Sequence, residues 1–390
     1  MHLEPSGFIG AAMAVQGIKD ATVILHGQTG CRKGLLPSQS LMPRTAVRDG
    51  RFYGKDNAIP YSNVRPEDYY GGTLEKLMGV MEHVDAEDYS LKVLMCSPGI
   101  SMVGDDCKRA SRSPATLFLD TDSLPSSAIE GFDRCICEIV KFLNPERNST
   151  IVKGINIVGL SIMHKDWSSF RHELSHLLKD AGFTVVSALG AGCTVDDIKN
   201  SVNAEYNIVV DPAYGGKTAE YYEKEYGTKT ISIGKCPIGF DAVEEFLIKI
   251  GEVTGVMPEH GLSMLKKSRR RAYEGVTLAS KRLDGMTFDI IAPDTAKQPL
   301  RAFLMDSFGM VEDDDSPDYL FAPGNISVLE EASGRCGKGI DIGFPSSSGP
   351  AFLKEPLMGM EGVMYILNSL FNRPCRTPLR GASSRGYALF

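Results

Sequence analysis

The chain has 390 residues, of which 43% are apolar and 23% charged, a composition typical of a soluble globular protein. The net charge of −7 gives no reason to expect a nucleic-acid partner, and no run of about 18 apolar residues predicts a membrane span. Nine irregularly spaced cysteines, with no visible signal peptide, favour a reducing, cytoplasmic compartment over a secreted disulfide framework.

A strand followed by a glycine-rich loop with a cysteine marks the first predicted α/β unit, residues 1–150. Ala21–Leu25 is a short apolar run and predicts a buried strand. Loops at the carboxyl ends of such strands hold ligands, and Gly27 and Gly30 let the backbone approach a bulky group. Cys31 follows, next to cationic neighbours that favour its thiolate. This arrangement suits an iron–sulfur cluster, and a buried structural cysteine is the alternative.

A second strand in this unit also ends in a cysteine. Leu91–Met95 is mostly apolar and predicts a strand, and Cys96 comes directly after it. In the loop beyond, Asp105 and Asp106 are predicted to cap the following helix. His26, after the first strand, is predicted to orient its loop by hydrogen bonding rather than to bind a metal.

Strands and helices alternate along the rest of the chain, which predicts parallel sheets. Residues 151–260 are predicted to form a second Rossmann-like unit, and residues 261–390 a shortened third one with a basic C-terminal tail. The predicted fold class is α/β, with three doubly wound parallel-sheet domains around a central cleft. The predicted strands of the later units are Ile155–Leu160, Thr184–Ala188, Tyr206–Val210, Phe288–Ala292, Asp318–Phe321 and Ile340–Ile342.

Two short motifs in the second unit have competing interpretations. His172, Glu173 and His176 fit the H-E-x-x-H pattern of zinc proteases, but the helix is predicted to be a surface crossover, so we interpret the match as coincidence. Gly215–Thr218 resembles the end of a phosphate-binding loop. The first glycine of that motif is replaced by Asp211, whose charge would repel phosphate, so the start of a helix beside the cleft is favoured.

Four places in the chain together resemble the nitrogenase component 1 family. That family includes nitrogenase catalytic subunits, their cofactor-assembly relatives, the dark-operative protochlorophyllide reductase and the nickel-porphinoid reductive cyclase. The resemblance implies an iron–sulfur cluster, most simply [4Fe–4S], shared across a subunit interface. It also implies an ATP-dependent iron–sulfur reductase protein as the electron donor and a substrate in the cleft. The matching stretches are Ser6–Ala11 with Gly17–Asp20 and His26–Cys31, Ser62–Gly72, Cys96–Asp106, and Gly343–Pro345.

Within this resemblance, Cys31 and Cys96 are the expected metal ligands, and the two loop glycines shape the cluster loop. Ser6 occupies the position of the first ligand cysteine of the family, so the chain is expected to offer at most two thiolates. Cys96 also lies two residues further from Gly104 than the family pattern has it. A homodimer would complete a four-cysteine site, and a heterodimer with a related subunit is the alternative.

A second departure concerns the nitrogenase cofactor. Asp211 stands where the catalytic subunit has a cysteine, and the matching histidine has no counterpart in Ser346–Leu353. No iron–molybdenum-type cofactor is therefore expected on this chain. The expected function is that of a subunit of a two-component, ATP-dependent reductase whose substrate the sequence does not name. The alternative is a non-catalytic cluster or cofactor scaffold, or a redox-silent partner subunit.

Overall fold

Three parallel β-sheets carry the fold, and the computed structural model describes residues 5–35, 59–101, 103–111, 113–121, 124, 127–277, 283–345 and 353–371. The predicted α/β class with three parallel-sheet units is confirmed. The predicted basic C-terminal tail lies outside the described residues. In the part of the chain that is described, no helix is long and apolar enough to cross a membrane.

The first sheet has the strand order β1–β2–β3, with every pair parallel. Strands β1 and β2 are buried along their whole length because helices cover both faces of the sheet. The apolar side of α3 packs on one face, and α1 and α5 pack on the other. The elements are α1 (Gly7–Gln16), β1 (Ala21–His26), α2 (Thr29–Leu35), α3 (Leu74–Asp85), β2 (Leu91–Cys96), α4 (Pro98–Ser101), β3 (Thr116–Leu119) and α5 (Ala128–Leu143).

Glycines allow α1 and α5 to cross at very short range. A Cβ atom on Gly10 would lie 1.7 Å from the carbonyl oxygen of Ala128, and one on Gly131 would lie 2.2 Å from that of Gly7. Only glycine fits at these two positions, because the neighbouring atoms are backbone and cannot rotate away. Helix α1 is consequently almost fully buried.

The second sheet has the strand order β5–β4–β6–β7, again with parallel pairs only. Because the chain runs from β4 outwards to β5 and then returns to the other side of β4, the sheet has a topological switch point between β4 and β6. The elements are β4 (Ile151–Val158), α6 (Trp167–Asp180), β5 (Thr184–Ala188), α7 (Val195–Ser201), β6 (Ala204–Val209), α8 (Pro212–Tyr226) and β7 (Lys229–Ile231).

Two helices, α9 (Phe240–Thr254) and α10 (Glu259–Val276), lead to the third sheet, whose strand order is β11–β10–β8–β9. Its switch point lies between β8 and β10. The remaining elements are β8 (Thr287–Ile290), α11 (Asp294–Phe308), β9 (Val311–Glu312), β10 (Tyr319–Ala322), α12 (Gly324–Ser333), β11 (Lys338–Asp341) and α13 (Gly359–Phe371).

One large apolar core runs through all three units, from α1 to α13. A smaller separate cluster lies between α3 and the first sheet and contains Ile24, Leu94 and Cys96. Each sheet falls within one of the three predicted segments, while the boundaries at residues 150 and 260 stay predictions.

Candidate functional site

The predicted cluster site lies at the carboxyl ends of two adjacent strands. Strands β1 and β2 pair in parallel, and His26 stands opposite Cys96 at their ends. Loops that leave neighbouring parallel strands meet at one edge of the sheet, where open α/β sheets bind ligands. Cys31 is half-buried on α2, just after β1, and Cys96 is buried as the last residue of β2.

The two predicted ligand cysteines pack against different apolar clusters. Side chains alternate along a strand, so Met95 faces the large core whereas Cys96 faces the small cluster under α3. Cys31 packs against the large core from outside. Their shared role as ligands of one cluster therefore stays a prediction.

A buried histidine ties together the loops around the strand ends. His26 Nδ1 lies 2.8 Å from Ser62 Oγ, and Nε2 lies 2.9 Å from Thr73 Oγ1. Thr73 donates its hydroxyl hydrogen to Asp105 at 2.6 Å, so it accepts from His26 Nε2–H. Ser62 in turn accepts the Gly27 N–H at 3.0 Å. Both ring nitrogens of His26 are therefore hydrogen-bonded to side chains of neighbouring loops, which is the orienting role that was predicted.

Asp105 caps a different helix from the predicted one. Its Oδ2 accepts both the N–H and the hydroxyl of Thr73, the N-cap residue of α3, at 2.6 Å each. These two hydrogen bonds lower the pKa of Asp105. Asp106 precedes a short 3₁₀ helix, Cys107–Ala110, but its side chain makes no capping bond there. The prediction that Asp105 and Asp106 cap the following helix is wrong, because the Asp105 carboxylate is hydrogen-bonded to Thr73, which is distant in sequence.

A third thiol, to which the sequence assigns no role, belongs to the same small apolar cluster as Cys96. Cys107 and Cys96 are each 5% exposed there. The hydrogen bond from Cys96 is the largest cause that lowers the pKa of Cys107, which falls to about 5. Only the position of Cys107 directly after Asp106, in the loop beyond β2, could have indicated this contact.

The two loop glycines have different surroundings. A Cβ atom on Gly27 would lie 2.6 Å from Ser97 Oγ, so the residue after Cys96 can approach β1 only because Gly27 has no side chain. Within the described residues, nothing lies within 4 Å of the corresponding Cβ position on Gly30. Gly27 thus shapes the loop through a contact inside the chain, whereas Gly30 is exposed and has no such contact with a described residue.

Cys31 lies on a short helix rather than in the predicted loop. It is the third residue of α2, and its N–H donates to the carbonyl of Gln28 at 3.2 Å. Hydrogen bonds of 2.9 Å from Thr29 to Asn63 and from Gln28 to Tyr69 join this helix to the second stretch that resembles the family. The Cys31 backbone is therefore held in a defined place.

The described residues of one chain do not complete a metal site. Ser6 is the exposed N-cap residue of α1 and its side chain makes no capping bond. Across the described ranges, no three His, Cys, Asp or Glu side chains are arranged to hold a metal ion. Cys31 fits an iron–sulfur cluster in kind, because it is a soft sulfur ligand that is only half-buried, next to the exposed Gly30. A cluster with four cysteine ligands would need two more than Cys31 and Cys96 provide.

The switch points of the second and third sheets face each other across a polar contact. Asp211, which follows β6, is 2% exposed, and its Oδ2 lies 3.1 Å from His164 Nε2. Its Oδ1 accepts the Ala213 N–H and the Thr295 hydroxyl, each at 2.9 Å. Burial opposes ionisation, but these hydrogen bonds together hold the pKa of Asp211 below its ordinary value. His164 also forms a backbone bridge with Gly343 from the third unit.

This contact places a buried carboxylate and an imidazole N–H between two units. The Ser161 N–H donates to His164 Nδ1 at 3.0 Å, so Nε2 carries the hydrogen that His164 donates to Asp211. The Tyr214 ring packs on the imidazole with a centroid distance of 4.4 Å. Asp211 was predicted as a departure from a cysteine and as a residue that would repel phosphate, and its partner His164 carries no sequence signal.

The H-E-x-x-H match has a structural explanation. Glu173 accepts the N–H groups of Met360 and Glu361, at 2.7 and 3.1 Å, at the beginning of α13. Burial raises the pKa of Glu173 to about 7. His172 and His176 are exposed, with ring centroids 4.4 Å apart. Glu173 therefore joins α6 to α13 and does not act as the catalytic carboxylate of a zinc protease.

The phosphate-loop-like stretch is filled by a carboxylate of the chain itself. Asp133 on α5 accepts the N–H groups of Lys217 and Thr218, at 2.8 and 3.0 Å, and the Thr218 hydroxyl at 2.6 Å. These are the backbone groups that a phosphate would use. Helix α8 begins at Pro212, with Asp211 as its N-cap residue. The stretch thus lies inside the helix, in its first two turns, and contacts α5, while its predicted place beside the cleft stays a prediction.

The family assignment follows from the comparison of the whole chain with known proteins. The family model for nitrogenase component 1 type oxidoreductases matches residues 6–311. The chain belongs to this family. The match covers the first two sheets with both predicted ligand cysteines and extends into the third unit.

The similar proteins named by the comparisons are reductase and nitrogenase components. Over 197 residues the chain is 26% identical to a subunit of the light-independent protochlorophyllide reductase of Trichormus variabilis, covering 47% of this chain and 38% of that protein. It is 24% identical over 293 residues to the nitrogenase iron-iron protein beta chain of Rhodobacter capsulatus, covering 65% and 60%. The solved structure of nitrogenase Cp1 at pH 5 matches with a TM-score of 0.74 at 14% identity, covering 95% of this chain and 88% of that one. The last likeness is one of fold.

Proposed function

We propose that this protein is a subunit of a two-component, ATP-dependent reductase of the nitrogenase-like type. Electrons arrive from an ATP-hydrolysing iron–sulfur protein and pass through a [4Fe–4S] cluster at a contact between two first units. They then reach a substrate in the cleft between the units. The observation that carries this proposal is family membership over residues 6–311, with a cysteine at or just after the ends of two paired strands.

Cys31 is the residue best placed to hold such a cluster at an interface. It is half-buried on a helix that hydrogen bonds fix to the neighbouring loop, and no described residue lies within 4 Å of the Cβ position on the adjacent Gly30. Cys96 would supply a second sulfur from the adjacent strand end. When bound, the cluster supplies one-electron transfer. The protein sets the potential through burial and hydrogen bonds to sulfur.

The contact between Asp211 and His164 supports a substrate position near the two switch points. Reduction consumes protons as well as electrons, and His164 holds a proton on Nε2 beside a buried carboxylate. Carboxylate oxygen is a harder ligand than cysteine sulfur. Asp211 thus favours a bound organic substrate over an iron–molybdenum-type cofactor at this place.

The cluster requires a second subunit in this proposal. A homodimer supplies Cys31 and Cys96 twice, which makes four thiolates. A heterodimer with a related subunit that brings three cysteines is the second arrangement. Because Ser6 offers no sulfur, the chain has fewer possible cluster ligands than the family pattern, and this favours a second candidate function. In that function the protein is a scaffold that holds a cluster or precursor and passes it on.

Metal analysis of a cysteine variant tests the cluster. The protein is purified without oxygen, its iron and sulfide are measured, and EPR spectra are recorded after reduction with dithionite. Cys31→Ser is expected to lose most of the iron and the signal of the parent protein. Cys336→Ser is the control for loss of one thiol, because Cys336 lies in the third unit, away from the first sheet. A Cys31→Ser protein with full iron content and an unchanged spectrum overturns the proposal.

A turnover assay distinguishes the proposed reductase function from the scaffold function. With the ATPase component, ATP and dithionite, a reductase consumes electrons steadily and keeps its iron. A scaffold instead loses its cluster to an acceptor protein without turnover. Steady electron consumption that needs ATP supports the first function, and stoichiometric cluster transfer without it supports the second.

A further inference from the structure

Two exposed histidines on α6 form a pair that the proposed reductase function does not use. His172 and His176 are four residues apart on the helix, and side chains with this spacing lie next to each other on one face. Both residues are exposed, and their ring centroids are 4.4 Å apart with an angle of 67° between the ring planes. The two imidazoles therefore lie together on the protein surface, where solvent can reach them.

The carboxylate between the two histidines in the sequence is engaged elsewhere. Glu173 accepts the N–H groups of Met360 and Glu361 at the beginning of α13, at 2.7 and 3.1 Å. It is therefore not placed to take a proton from a water molecule beside the imidazoles. The pair offers two nitrogen ligands without a general base, which is the chemistry of a binding site and not of a hydrolytic centre.

The distance between the rings indicates which metal ions they fit. An imidazole ligand places its nitrogen about 2.0–2.1 Å from the metal, so two such rings at a right angle have centroids roughly 4.5 Å apart. At the tetrahedral angle the same bond length separates the centroids by roughly 5.2 Å. The observed 4.4 Å matches the right angle, which neighbouring ligands subtend in square-planar and octahedral coordination. Cu²⁺ and Ni²⁺ take these geometries, accept imidazole ligands and bind most strongly among comparable divalent ions.

We propose that His172 and His176 form a surface binding site for a divalent transition-metal ion of the Ni²⁺ or Cu²⁺ type. The two imidazoles occupy neighbouring coordination positions, and water fills the others. Such an ion bridges one turn of α6, the turn from which Glu173 holds α13. The site is distinct from the predicted cluster site in the first unit and does not depend on it.

Titration with Ni²⁺ tests the site. The full-length protein, without an affinity tag, is purified without oxygen and titrated in a calorimeter. His172→Ala and His176→Ala are each expected to weaken binding by about tenfold or more, because a single imidazole loses the advantage of two linked ligands. His260→Ala is the matched control, since His260 is also exposed but lies on α10 beside Asp180, at 3.8 Å. It should bind Ni²⁺ like the parent protein. A Ni²⁺ affinity that neither α6 substitution changes overturns the proposal.

Chemical footprinting locates the ion on the chain. Diethyl pyrocarbonate modifies accessible imidazole nitrogens, and peptide mass spectrometry measures the modification of each histidine. Ni²⁺ is expected to protect His172 and His176 and to leave His260 reactive, and EDTA should reverse the protection. Equal modification of the α6 pair with and without Ni²⁺ would mean that the two rings only pack edge to face, and it would overturn the proposal. The iron and sulfide content of His172→Ala should equal that of the parent protein, so the outcome for this site is separate from that for the cluster.

Discussion

Several carboxylates in this protein satisfy the N–H groups of helices distant in sequence. Asp105 does so at the start of α3, Asp133 in the first turns of α8, and Glu173 at the start of α13. At α3 and α13 these groups lie at the N-cap or in the first turn, where N–H groups lack partners within the helix and the positive end of the helix dipole favours a carboxylate. Glu173 belongs to a motif that has another meaning when read locally, and Asp105 was predicted to cap a different helix. Sequence reasoning could not assign them because the partner depends on the tertiary fold.

The loop glycines allow a matched pair of substitutions. Gly27→Ala is expected to destabilise the protein by about 1–3 kcal/mol, because its Cβ would lie 2.6 Å from Ser97 Oγ and 2.8 Å from Ser97 Cβ. Gly30→Ala is expected to be neutral or slightly stabilising, since its Cβ meets open space at the start of a helix. Urea unfolding midpoints of both variants check this, and equal midpoints would contradict it.

Glu173 should give the stability a specific pH dependence. Its pKa rises from 4.5 to about 7 on folding, so its stabilising contribution is fully present below pH 4.5 and is lost as the pH rises through 7. By linkage, the unfolding free energy of the parent protein should fall by up to about 3 kcal/mol relative to Glu173→Gln over this range. Denaturant unfolding of both proteins at a series of pH values measures the difference. A difference that stays constant with pH would refute this role.

At the scale of elements, helix α1 shows where pattern recognition fails. The helix is buried nearly all round, so it lacks the polar face that marks a helix in a sequence. By contrast, β1 and β2 were predicted closely, because short apolar runs between loops are typical of parallel strands. The start of α8 at Pro212 follows from Asp211 as N-cap and proline in the first turn, a local signal that was available.

The crossing of α1 and α5 should be intolerant of any side chain. Gly10→Ala is expected to cost about 3 kcal/mol or more, because its Cβ would lie 1.7 Å from a backbone oxygen that can move only with its helix. Gly79→Ala is the control, as Gly79 lies inside α3 with nothing of the described chain within 4 Å, and should stabilise by about 0.5–1 kcal/mol. Thermal unfolding compares the two. Similar behaviour of both variants would mean that the helices can separate without cost.

The contact between α5 and α8 depends on one carboxylate. Asp133→Asn should destabilise the protein by about 1–3 kcal/mol, because an amide cannot accept hydrogen bonds at both positions from Lys217 and Thr218. Glu130→Gln, at an exposed position on the same helix, should change the unfolding free energy by less than about 0.5 kcal/mol. Guanidinium unfolding measures both. An unchanged midpoint for Asp133→Asn would show that the amides find other partners.

For the whole molecule, the sequence predicted three parallel-sheet units, and the structure adds how they meet. The switch points of the second and third sheets are joined through Asp211, His164 and Thr295. The alternation of strands and helices in the sequence does not predict this contact. The cluster site was predicted as two cysteines at one sheet edge. The different packing of Cys31 and Cys96 could not be predicted, because it depends on which face of the sheet each residue joins.

Native mass spectrometry of the anaerobically purified protein tests whether two subunits complete one cluster. The expected result is an assembly of two chains that carries a single [4Fe–4S] cluster, and loss of the cluster mass in Cys31→Ser. A single chain that retains a whole cluster by itself, or a pair of chains in which Cys31→Ser leaves the cluster in place, would contradict it.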